Sequence, residues 1–162
     1  MTEVPARIVQ LADYWNRLAG GSAPERHLLD PAAICPLLPY VLLVDFEDDP
    51  FRVHYRLTGT KVDEMTGINI TGRYLDEFAQ GVFREPVESI QRCYLSSRDS
   101  GRAYIGTYLW PNDPGLMRLV WIGIFPLKLN GEIKQCLGIE DYGALGPHPD
   151  PVDWRVPLKG DI

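Results

Sequence analysis

The chain has 162 residues, 45% of them apolar and 23% charged, and carries a formal net charge of −6. That length holds one domain with a sizeable core, in an ordinary globular balance. An acidic chain without a basic cluster excludes a nucleic-acid backbone as partner, and no apolar run approaches the roughly 18 residues of a membrane helix.

The opening MTEVPARIVQLADYW interrupts its apolar residues with charges and lacks a small-residue cleavage site, so a cytoplasmic location is expected. Residues Val4 to Ala19 place Ile8, Leu11, Ala12, Trp15 and Leu18 on one helical face. Gly20-Gly21 stops that helix. Asp30-Pro31 starts a second, short one, with Asp as cap and Pro in the first turn, and Pro36 and Pro39 close it.

Val41 to Val44 is a continuous apolar run, short enough for a strand buried on both faces. After the acidic turn Asp45 to Pro50 comes strict alternation. Phe51, Val53, Tyr55 and Leu57 fall on one side, and Arg52, His54, Arg56 and Thr58 on the other. The two strands read as a hairpin. Gly59 turns the chain, and Thr60 is expected to cap a short helix through the Asp63 amide, with Thr66-Gly67 as its stop.

Pro86 suits the first turn of a longer helix carrying Val87, Ile90 and Tyr94. From Arg102 the period returns to two, with Tyr104, Gly106, Tyr108 and Trp110 on one face. Pro111 to Gly115 is dense in turn formers. Leu116 to Leu127 is apolar on both faces and suits a central strand. Asn130-Gly131 is the strongest hairpin signal in the chain, and Ile133 to Tyr142 returns from it. The Pro-rich tail from Gly143 to Ile162 is expected to drape or fray. The division is an N-terminal helical cap over 1–40, a core over 41–142 and a tail over 143–162.

This order, two strands, helices, then three strands, resembles the PAS sensory domain, and more closely a compact bacterial PAS subfamily. The likeness rests on Tyr14-Trp15, Gly20-Gly21, Pro24, Arg26, Asp30-Pro31 and Leu37-Leu38-Pro39. It continues through Tyr55-Arg56-Leu57, Gly59-Thr60, Thr71-Gly72-Arg73-Tyr74 and Pro126-Leu127 before Asn130-Gly131. The resemblance implies an α+β fold: a five-stranded antiparallel sheet with helices over one face and an N-terminal helical cap. It also implies a pocket between helices and sheet, used for small ligands or for signalling through a homodimer or a protein partner.

The cofactor stays open. The NC-type helix motif of photoreactive flavin binders is missing, and Phe83 to Ser97 holds no His of the kind that haem binders carry. Both groups are therefore disfavoured. Tyr55, Leu57, Met65, Tyr74, Phe78, Ile90, Tyr94, Tyr104 and Trp121 are the candidates to line a pocket, although parity settles only some of them and leaves Trp121 open. The competing reading is a filled core of the same residues. Ile8, Leu11, Trp15 and Leu18 are the candidate dimer contact; packing back on the chain's own sheet is the alternative.

No metal site is expected: His148 with Asp150 falls short, and Cys35, Cys93 and Cys136 read as reduced thiols. His54 and His27 read as surface residues. The carboxylates at 47–49, 63–64 and 76–77 sit where capping and solvation explain them. GxSxG, HExxH, GxxxxGK and Rossmann glycine patterns are all missing, so no catalytic residue is assigned and the chain reads as non-enzymatic. Two alternatives remain. One is a small cone-fold enzyme, isomerase-like, which needs an Asp or His beside a Tyr on an inward strand face. The assignable faces show Tyr inward without an acid. The other is a ligand-free dimeric adaptor.

Overall fold

A computed structural model of the chain describes residues 3–112, 115–146 and 156–157. Its centre is an antiparallel sheet of β1 (Val41–Glu47), β2 (Arg52–Thr58), β3 (Tyr104–Pro111), β4 (Met117–Leu129) and β5 (Glu132–Gly146), with a two-residue β6 (Val156–Pro157). The spatial order is β2-β1-β5-β4-β3-β6. The long β4 and β5 are central because both of their faces are apolar. They turn on Asn130 and Gly131, both at positive φ, as a two-residue hairpin requires. Of the tail, only 143–146 and 156–157 are described; His148 and Asp150 lie outside the described residues, as do Asp113 and Pro114 in the turn before β4.

Helix α1 (Ala6–Ala19) covers one face. Ile8 and Leu11 are fully buried, and Trp15 lies against Phe125, with its indole N–H donating to the Pro126 carbonyl at 2.9 Å. Arg7 is paired with Asp141 of β5. The candidate dimer stripe is thus corrected: Ile8, Leu11 and Trp15 are used within the chain, and Leu18 is packed against the same cluster. Packing these side chains on the apolar sheet face removes them from water, so the stripe is satisfied within the chain.

The other face is roofed by α2 (Thr60–Thr66), 3-10 turns at Leu75–Phe78 and Gly81–Phe83, and α3 (Arg84–Ser100). Side chains alternate between the two clusters along the central strands. Val120, Ile122 and Ile124 face the roof, while Trp121, Phe125 and Leu127 face α1. Gly59 leads into the roof. A Cβ there would stand 2.3 Å from the Pro39 carbonyl oxygen, so only glycine admits this approach. Thr60 does not cap α2 as expected. The Asp63 amide bonds to the Gly59 carbonyl, and the Asp63 carboxylate accepts from the Thr58 hydroxyl at 2.7 Å.

Candidate functional site

Between roof and sheet lies a cavity of about 50 Å³. Strands supply Tyr55, Tyr108, Trp110, Ile122 and Glu140 as its floor. The roof supplies Ile68, Ile70, Leu75, Phe78 and Ile90, with Thr66 at the end of α2. Register explains the floor, for Ile122 pairs with Gly106 of β3 on one side and with Glu140 of β5 on the other.

Among the described residues Glu140 is the one charged side chain in this lining. It is 5% exposed, and its Oε1 accepts the Tyr108 hydroxyl at 3.0 Å. Among the described residues its Oε2 and the buried hydroxyls of Tyr94 and Tyr142 make no hydrogen bond, with the Tyr142 hydroxyl lying near the carboxyl without bonding to it. A buried carboxyl left half satisfied is costly, and burial favours its neutral form. Burial pushes Glu140 up to about 7, against the Tyr108 hydroxyl and the nearby Tyr142 hydroxyl, which hold it down. In return, burial and the adjacent carboxylate raise Tyr55, Tyr108 and Tyr142. On the roof, burial raises Tyr94 and Cys93 of α3.

Of the nine pocket candidates, the structure brings Tyr55, Phe78 and Ile90 to this cavity. Leu57 is corrected: it pairs with Leu43, which faces α1, and is 56% exposed. The cause is a β-bulge opposite Leu43 and Val44, where Arg56 is the extra residue and reverses the alternation. Trp121 is corrected too, since it faces α1. Tyr74 packs outside the β2 edge, under the Arg52 guanidinium and beside His54. Tyr104 lies at the far end of β3, near Ser100. Tyr94 is fully buried edge-on to Phe46, and Met65 is packed against the same cluster; neither lines the cavity.

The expectation that no acid accompanies the inward tyrosines is overturned by Glu140 and Tyr108. Tyr108 and Trp110, on the face that the alternation from Tyr104 predicts, line the cavity beyond the nine candidates. The signal for Glu140 was available: one acid in the otherwise uncharged run Gln135 to Glu140, in phase with buried Cys136.

A larger groove, about 540 Å³, lies between the end of α1 and the turn after α3, bordered by Ser22, Asp99, Arg102 and Lys128. It is open, and none of the buried unpartnered atoms among the described residues belongs to it. The chemistry therefore concentrates at Glu140. Among the described residues no three His, Cys, Asp or Glu side chains stand together as metal ligands, and no helix is long and apolar enough to cross a membrane.

A family model described as PAS domain matches residues 3–101. The match runs from α1 to the end of α3, so it includes the whole roof. No curated protein matches the chain.

Proposed function

The chain belongs to the PAS domain family of sensory and regulatory domains, and from that premise we propose that a small molecule held under the roof controls how the helices pack on the sheet. One observation carries the reading. The seam between roof and sheet is open at a buried carboxyl, Glu140, whose Oε2 has no hydrogen-bond partner among the described residues. A molecule that supplies this partner binds the closed roof better than the loosened one and shifts the population accordingly. The output is read from the outer side of the roof, where Ile68 and Val82 are 45% and 69% exposed. A second protomer or a signalling protein in the cytoplasm would dock there, because α1 already uses its apolar stripe. Native mass spectrometry of the protein purified from its own source should show a retained small molecule. Equal masses under native and denaturing conditions would count against a tightly held ligand.

The acid–tyrosine pair also favours a second reading, a small isomerase-like enzyme in which Glu140 moves a proton and Tyr108 stabilises an enolate. A carboxyl pushed up to about 7 by burial suits a general base. Against it stands the cavity, whose 50 Å³ is room for about four waters. The enzyme reading expects α-proton exchange into acetone in D2O, followed by proton NMR, above the buffer rate and lost in Glu140→Gln. Exchange at the buffer rate removes it.

A further inference from the structure

Granting that the roofed cavity is where ligand binds, its lining also restricts what the ligand can be. Glu140 is 5% exposed and lines the cavity, and its Oε2, with the Tyr142 hydroxyl nearby, has no hydrogen-bond partner among the described residues. Among the described residues no Lys, Arg or His lines that wall. An anion placed there would meet a carboxylate without a cation to offset it. A wholly apolar guest would leave Oε2 as orphaned as before. Four aromatic side chains, Tyr55, Phe78, Tyr108 and Trp110, make up much of the remaining lining, and such surfaces favour positive charge.

We propose that the cavity receives a small organic cation, an amidinium or primary ammonium of a few heavy atoms, with its N–H groups on Glu140. Size supports this, since a 50 Å³ space takes about four heavy atoms. Access is beside Ile68, which lines the cavity and is 45% exposed. The tyrosine hydroxyl on Oε1 stays in place, and the cation completes the other oxygen. The carboxyl binds it when ionised. The titratable groups around it are Tyr55 of β2, Tyr108 of β3, Tyr142 of β5, and Tyr94 and Cys93 of α3. All five are shifted upward, so they remain protonated at pH 8 and the pH dependence of binding belongs to Glu140.

The test is a methyl-detected NMR titration with acetamidinium chloride, with sodium chloride at matched ionic strength as the blank. Acetamide and acetate serve as neutral and anionic probes of the same shape. Acetamidinium should give saturable shifts at the Ile122 and Ile90 methyls at pH 8. Its affinity should fall about tenfold or more at pH 5.5, and likewise in Glu140→Gln, as loss of a charge-assisted hydrogen bond requires. Equal affinity in wild type and Glu140→Gln, or no saturable shift with acetamidinium, overturns the proposal. Saturation of the same methyls by acetamide or acetate instead would sink the cationic ligand while leaving the sensing cavity standing. If no probe reaches those methyls and the native mass carries no extra molecule, the cavity reading falls with it.

Discussion

Glu140→Gln is expected to stabilise the protein at pH 8 by about 3 kcal/mol and to change it little near pH 4. The sign follows from the direction of the shift. Glu140 rises to about 7 in the fold from an ordinary 4.5. Below the ordinary value the carboxyl is protonated in both folded and unfolded chains, and it costs nothing. Between about 4.5 and 7 only the unfolded chain ionises, so stability falls as pH rises. Above 7 the full penalty is present. Glutamine has no charge to desolvate and can still accept from Tyr108. The pH profile of the variant should therefore be flatter on its neutral side. Asp76 acts in the other direction: the Arg52 hydrogen bonds hold it below the ordinary carboxylate range, so its contribution is lost only as pH falls into the acid limb. Urea unfolding across pH 4 to 8 measures this. A wild-type stability that is flat between pH 5 and 7.5, with Glu140→Gln parallel to it, contradicts a buried carboxyl. The same profile measures what a ligand gains by pairing with Oε2, because the penalty it relieves is the one that glutamine removes.

Trp15→Ala should cost about 3–5 kcal/mol, and Trp15→Asp more, since a carboxylate would replace a buried indole. Against the roughly 5–15 kcal/mol of a typical domain, the aspartate variant is expected to be largely unfolded rather than a folded monomer. The reason is where Trp15 sits: 8% exposed, against Phe125, with its N–H on the Pro126 carbonyl. Asn16 next to it is exposed, and Asn16→Ala should change stability by about 0.5 kcal/mol or less. Circular dichroism with sedimentation separates the cases. A Trp15→Asp protein with the wild-type urea midpoint and half the mass would return the stripe to a dimer interface.

The two results bear on different layers of the molecule. Trp15 reports on the α1 side, where hydrophobic burial holds the cap to the sheet. Glu140 reports on the roof side, where a polar group is kept at a cost to stability. A polar group held in a core at a cost to stability points to function, because departures from a locally consistent fold concentrate at functional sites.

Period and turn chemistry were legible from the residues alone. The pattern from Val4 marked α1, the alternation from Tyr104 marked β3, and Asn130-Gly131 marked the hairpin between β4 and β5; all are local properties of backbone and side chain. From these came the strand and helix order, and with it the family. Three things needed the folded chain. The bulge opposite Leu43 and Val44 turned Leu57 outward, and no local pattern announces an extra residue in a strand pair. The face taken by Trp121, and the choice of α1 between its own sheet and a partner, depended on which apolar surface was nearest after collapse. Last, Glu140 and Tyr108 are 32 residues apart in sequence and meet only because β4 lies between their strands. A pair made by sheet order leaves no spacing to read, whereas a strand or a turn is written in consecutive residues.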